Sequence, residues 1–171
     1  IDGSPDRSNR YRSQLSQDSD FFHDVLIEPY SELTLNRCQT LSLDGILLDL
    51  AALPDHQLSY ISQLEQAFGE QGPPIVAIGS GNVKEAVQVL KQGAADYLVR
   101  DQMTAEDLCF TLRSAIKNAE LKRQLEHSRV QFQTSVENLM DCFGIYTAIR
   151  DETGKIIDFR IDYVNQAACE S

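Results

Sequence analysis

The sequence predicts an α/β fold, a doubly wound parallel sheet of five strands, over the span up to Arg100. Two observations carry that prediction. Short unbroken apolar runs, "ILL" before Asp49, "IVAI" after Pro74 and "DYLV" before Arg100, read as strands buried on both faces. Between them the apolar residues recur every three or four positions, so helix and strand alternate, an order that predicts a parallel sheet covered by helices on both sides.

A truncated first strand ends at Asp2. Pro5 and Asp6 open an amphipathic helix that carries Tyr11 and Leu15, four apart on a polar background. "DVLIE", residues 24–28, reads as the second strand, and "SELTLNRC" as a short helix turning Leu33 and Cys38 inward. The third strand runs from Ile46 to Asp49. Leu58, Ile61, Leu64 and Phe68 then recur at helical spacing until Gly69 and Gly72, and Pro73 and Pro74 lead into the fourth strand. Val83, Val87 and Leu90 mark a further helix, stopped by Gly93. "DYLV" is the fifth strand.

No Gly or Pro occurs from Asp101 to Phe143, and helix formers dominate there. Thr104 with Asp107 forms a capping-box variant, and Glu106 and Asp107 complement the positive end of the helix dipole. Leu108, Leu112, Ala115 and Ala119 make a stripe suited to packing on the sheet, and Leu121 and Leu125 continue an apolar edge beyond it. Two readings stay open: one continuous helix of about 60 Å at ~1.5 Å per residue, or a break near Gln131 to Thr134 with a restart at a second box, Thr134 with Glu137. Past Gly144 the period becomes two. "IYTAIR", the turn "DETGK" and "IDFRIDYV" predict a hairpin, with Gly154 supplying the freedom its turn needs.

The chain has 171 residues, 42% of them apolar, enough to bury a core. Its formal net charge of -11 argues against a nucleic-acid-binding surface, which needs a basic patch. No apolar stretch approaches the ~20 residues that cross a bilayer, and no signal-peptide pattern opens the chain. A soluble, cytoplasmic segment without membrane contact is the expectation. Cys38, Cys109, Cys142 and Cys169 are scattered without a C-x-x-C pair. They read as reduced, mostly buried thiols. His23, His56 and His127 stand alone, and none is read as a ligand. The abrupt start at Ile1 and the end just after a helix begins suggest a fragment of something longer.

Doubly wound sheets place their active groups at the carboxyl ends of the strands. Here that rule selects Asp2, Asp49, Ile78 and Arg100. Two carboxylates and one cation converging beside an aliphatic side chain suggest an acidic depression that once handled, or still handles, a phosphate and a metal.

These stretches resemble the receiver domain of two-component response regulators, followed by the beginning of a PAS sensor domain. The receiver resemblance is carried by "IDGSPDR", "DGILLDLAALPD", "GSGN", "AVQVLKQGAADYLVRDQ" and "TAEDL", in order and at the expected spacing. The PAS resemblance rests on "FQTSVENLMDCFGIYTAIRDETGKIIDFRIDYVNQAACES". It implies a flavodoxin-like receiver over residues 1–117, a helical linker over 118–133 and a partial PAS α+β segment over 134–171. Asp49 matches the phosphoacceptor, a nucleophile toward a phosphoryl donor in the presence of magnesium. Asp2 and Asp49 would hold that ion weakly, because Gly3 stands where the family has its second acid. Ile78 replaces the threonine or serine that bonds the phosphoryl group, Arg100 replaces a lysine with a larger planar fork, and Tyr97 keeps the switching aromatic. Pro54 falls one place late, and Gln57 occupies a glycine position.

The resemblance implies a signal-transduction module of a multidomain bacterial sensor or regulator. It would accept a phosphoryl group on Asp49 from an upstream histidine kinase or phosphotransfer protein, and couple to the PAS segment through the long helix. The alternative is a pseudo-receiver, a phosphate-independent interaction and dimerisation module. In either case Leu121 and Leu125 are expected to form a homodimer contact. No P-loop or cyclase signature occurs, nothing near His127 resembles a kinase's phosphoacceptor motif, and the segment is expected not to be an enzyme. The part of a PAS fold that encloses haem or flavin is missing, so no PAS ligand is expected.

Overall fold

A computed structural model describes residues 5–53, 58–69 and 71–169 of the chain. Asp2, Gly3, Pro54 and Gln57 lie outside the described residues. The chain forms two compact units, Ile1–Leu121 and Lys122–Ser171.

The first unit is built on a parallel sheet of three strands, β1 (Ile46–Asp49), β2 (Ile75–Gly79) and β3 (Asp96–Val99), in that spatial order. The register places Asp49 opposite Ile78, and Ile78 opposite Leu98. Every residue of β2 is buried, as its unbroken apolar run requires of a strand with neighbours on both edges. Its alternate side chains enter two cores. Ile75 and Ala77 join Ile46, Leu48, Ile61 and Leu64 in one cluster, and Val76 and Ile78 join Tyr11, Leu15, Leu108 and Leu112 in the other.

Three described strands stand where five are predicted. The first, ending at Asp2, lies outside the described residues. Residues 24–28 are irregular, not a strand, because among the described residues no neighbouring strand shares a ladder with them. The Val25 carbonyl instead accepts from Arg12 Nη2 at 2.9 Å.

Helix α1 (Pro5–Leu15) buries Tyr11 and Leu15, four apart on one face. Ser31 caps α2 (Glu32–Thr40) by accepting from Thr34 N. That helix turns Cys38 inward, but Leu33 points to solvent at 78% exposure and Thr34 takes the buried position. After α3 (Ser59–Phe68), α4 (Val83–Lys91) starts at Asn82, whose side chain accepts from Lys84 N. Val83, Val87 and Leu90 mark this helix correctly but lie on its exposed side, and Val89 is the buried anchor.

Helix α5 (Ala105–Glu137) is continuous through residues 131–134, so of the two open readings the unbroken one forms. Its 33 residues span about 50 Å at ~1.5 Å each. Both expected boundaries, after 117 and after 133, fall within it. The capping box closes reciprocally, with Asp107 N donating to Thr104 Oγ1 at 3.1 Å and Thr104 N to Asp107 Oδ2 at 2.9 Å.

In the second unit β4 (Gly144–Arg150) and β5 (Ile156–Val164) form an antiparallel hairpin. Its turn is tied by Asp151 Oδ1, which accepts from Thr153 N and Lys155 N, while Gly154 takes a φ of 83°. The unit's polar centre is Asn165, fully buried before the short helix α6 (Gln166–Cys169). Its Nδ2 donates to the Asp141 and Val136 carbonyls at 3.0 and 3.2 Å, and its Oδ1 accepts from Phe143 N at 2.9 Å. Glu137 accepts from the Tyr163 hydroxyl at 2.5 Å and from Gln166 N at 3.0 Å.

Asn165→Ala leaves these buried groups unmatched and is expected to destabilise the second unit by about 1–3 kcal/mol. Faster amide exchange at Phe143, measured by NMR, checks this; unchanged protection there would contradict it. The bond to Glu137, helped by desolvation, pushes the Tyr163 hydroxyl from 10.0 up to about 12. Its folded value is raised, so this contribution is fully present below pH 10 and is lost as the pH rises through 12. An NMR titration of the Tyr163 ring checks the window.

Candidate functional site

Strand β1 ends at Asp49, and the chain passes at once into a 3-10 turn, Leu50–Ala52. The Asp49 side chain caps that turn, its Oδ1 accepting from Ala51 N at 2.9 Å. The carboxylate is 1% exposed and surrounded by donors. Arg100 Nη2 donates to Oδ1 at 2.5 Å and Tyr11 Oη to Oδ2 at 2.7 Å, and Arg7 Nε lies 3.2 Å from Oδ2. Arg7 and Tyr11 are four apart on α1, so one helical face delivers both. Arg100 follows β3 directly, its own N–H bonded to the Gly79 carbonyl.

A charge this deep is tolerated only when paired and hydrogen-bonded. Here one carboxylate meets two guanidinium groups. Burial, the bond to Asp49 and its negative charge together push the Tyr11 hydroxyl well above its ordinary range. Burial alone would lower Arg100, but its bond to Asp49 and that residue's charge prevail, and the net direction is up.

Ile78 sits beside Asp49 in register, fully buried in the cluster that contains Tyr11. It supplies an aliphatic wall and no hydroxyl. Tyr97 packs against the other cluster. Its hydroxyl donates to Glu85 Oε1 at 2.6 Å and accepts from Gly81 N at 2.9 Å. The same Glu85 oxygen accepts from Ser80 N at 2.9 Å and Ser80 Oγ at 3.2 Å. A methyl group on Gly79 would collide with both Tyr97 Oη and Glu85 Oε1. Glycine there lets the ring lie across the end of β2, and burial with the Glu85 bond pushes the Tyr97 hydroxyl up.

Of the residues selected from sequence, the fold brings Asp49, Ile78 and Arg100 together. Tyr97 stands in a separate network, and Asp2 lies outside the described residues. Among the described residues, the charged partners of Asp49 are two guanidinium groups; the expected depression includes Asp2 and so lies partly outside the described residues. Arg7, Tyr11 and Glu85 were not singled out as site residues. In the sequence Tyr11 shows only as an apolar helical position, and nothing marks Glu85.

Solved structures are similar to this chain in fold. The chain matches NtrX from Brucella abortus with a TM-score of 0.64 at 20% identity, over 81% of this chain and 33% of that one. The chain thus spans about a third of the length of NtrX. A Burkholderia pseudomallei response regulator, described with a phosphorylated aspartic acid, a calcium ion and citrate, matches with a TM-score of 0.56 at 19% identity, over 80% of each chain. A response regulator receiver domain protein from Clostridium thermocellum matches with a TM-score of 0.59 at 21% identity, over 71% of this chain and 94% of that one. The fold is that of receiver domains. No protein-family model matches the chain, and no curated protein is significantly similar to it.

Two variants test this receiver-fold site. Tyr11→Phe removes one bond to a buried charged acceptor and is expected to cost about 1.5–3 kcal/mol in urea denaturation. A cost under ~0.5 kcal/mol would mean that the hydroxyl is not engaged. Gly79→Ala is expected to expel the Tyr97 ring, read as a large chemical-shift change of that ring; an unmoved ring would contradict the packing.

Proposed function

We propose that this chain is a receiver-fold signalling module of the phosphate-independent kind, a pseudo-receiver whose output is protein contact. The observation that supports this best is the closed shell of donors around Asp49. Both carboxylate oxygens already accept from Tyr11, Arg100 and Ala51 N, with Arg7 alongside, so neither is presented to a phosphoryl donor. Magnesium takes oxygen ligands in near-octahedral geometry. Among the described residues, the partners of Asp49 are guanidinium, phenol and amide donors, a set that does not fit that ion. The Tyr97–Glu85–Ser80 network holds the loop after β2 without a phosphoryl group, which suits a module with one resting geometry.

A second reading is favoured by the position of Asp49 at the carboxyl end of β1, one hydrogen bond from Arg100, and by the phosphorylated aspartic acid described for the Burkholderia protein. On that reading an upstream histidine kinase or phosphotransfer protein would supply the phosphoryl group, and Asp49 would attack it once Tyr11 and Arg7 had withdrawn. Under either reading the segment carries no enzyme activity of its own. The second unit is read as the start of a PAS domain, joined to the first by α5. No helix among the described residues is long and apolar enough to cross a membrane. A cytoplasmic setting belongs to the same proposal.

Acetyl phosphate with magnesium distinguishes the two readings. The unaltered chain is expected to gain no phosphoryl group by intact mass and to show no shift at Tyr97. Labelling that disappears in Asp49→Ala, with a response at Tyr97, would favour the phosphoacceptor.

The output is proposed to pass through a homodimer along α5. Leu121 and Leu125 are 53% and 72% exposed, four apart on one face. Uncovered apolar edges of this kind suit a helix-to-helix seam. Leu121→Lys with Leu125→Lys is expected to shift sedimentation toward monomer. An unaltered chain that is already monomeric at high concentration would refute the dimer.

A further inference from the structure

We propose that Asp18, His23 and Cys109 form a binding site for a divalent transition-metal ion of the zinc class, with three protein ligands and one position open to solvent. The site shares no residue with that around Asp49. A carboxylate oxygen of Asp18, an imidazole nitrogen of His23 and Cys109 Sγ lie within 4.8 Å of one another. Zinc bonds of about 2.0–2.3 Å place tetrahedral ligand atoms about 3.3–3.8 Å apart. Movements of up to about 1–1.5 Å therefore close the set on an ion.

The backbone allows that movement. Cys109 is buried on α5, which fixes the thiol, whereas Asp18 and His23 lie in the irregular segment after α1. His23 Nε2 and Asp18 Oδ2 are 2.8 Å apart, so they already share a proton at the place where an ion would sit. The other Asp18 oxygen is held from behind, accepting from Asp20 N at 3.0 Å and facing Arg113 Nη1 at 3.4 Å. Arg113 is in turn fixed by Asp20 at 2.6 Å and by the Phe21 ring. Metal-binding carboxylates are oriented by outer partners in this way.

Charges also balance. The Asp18 carboxylate and a Cys109 thiolate neutralise a divalent ion, and Arg113, which also faces Asp18, is balanced by its closer partner Asp20. Binding releases the thiol proton, with any second proton on His23, to solvent. A pocket of about 340 Å³, lined by Asp18, His23, Ser16 and Phe22 among others but not by Cys109, gives room for a water ligand on the Asp18 and His23 side. The competing account is a plain ion pair beside a packed thiol that contacts the Gln14 carbonyl at 3.7 Å. That account predicts no metal affinity.

The test titrates the full chain with cobalt(II). The expected result is one equivalent bound, with an intense near-ultraviolet thiolate-to-cobalt band that zinc removes by displacement. Cys109→Ser should abolish the band, and the Cys142→Ser, Cys169→Ser double variant should leave it unchanged. Arg113→Gln should weaken binding by roughly 10- to 100-fold. No band in the unaltered chain overturns the proposal, as does a band that survives Cys109→Ser or depends on Cys142 or Cys169. Should Cys109→Ser not fold, His23→Gln decides on a less buried position: cobalt affinity equal to that of the unaltered chain overturns the site.

Discussion

A carboxylate buried at the end of β1 is the constraint on which the first unit turns. Removing an ionised group from water costs several kcal/mol even after relaxation, and only close donors offset that cost. Asp49 collects its donors from three separate segments: α1 through Arg7 and Tyr11, the exit of β3 through Arg100, and the 3-10 turn through Ala51 N. One side chain thereby ties a helix and two strand ends to the same point. The aliphatic Ile78 beside it excludes water from the shell and strengthens each of those bonds.

The same arrangement separates the two halves of what would otherwise be a switch. Asp49 and Ile78 face the cluster beneath α1 and α5, whereas Tyr97 belongs to the opposite cluster and answers to Glu85. No hydroxyl at position 78 links them. Among the described residues, the hydrogen bonds of Asp49 and those of Tyr97 form two different networks, which suits the contact output proposed for this module.

Much of this was legible in the sequence wherever the signal is local. The apolar runs of β1, β2 and β3, the Tyr11 and Leu15 pair, the Thr104 and Asp107 cap and the Gly154 turn each report their own structure, and each formed. Residues 24–28 carry an equally good strand pattern, but a strand needs a neighbour, and periodicity says nothing about neighbours. Leu33 and the Val83, Val87 and Leu90 stripe show the same limit, since apolar spacing predicts a helix but not which side is covered. The strand-end rule brought Asp49, Ile78 and Arg100 together from sequence alone. It could not supply Arg7 and Tyr11, because they arrive from a helix, nor join Cys109 to Asp18 and His23, which meet only when α5 packs beside the segment after α1. The thiols also divide differently from the expectation, with Cys38 and Cys109 buried and Cys142 and Cys169 exposed.

The closed shell around Asp49 is tested most directly by a double-mutant cycle between Asp49→Asn and Arg100→Gln, with stability read from urea denaturation. Groups in one buried network couple by about 0.5–3 kcal/mol, and a charge-assisted bond to a buried carboxylate belongs in the upper half of that range. A coupling of about 1.5 kcal/mol or more is the predicted result. A coupling within ~0.3 kcal/mol of zero, the behaviour of independent sites, would show that Asp49 is not held by Arg100 in solution and would contradict the account.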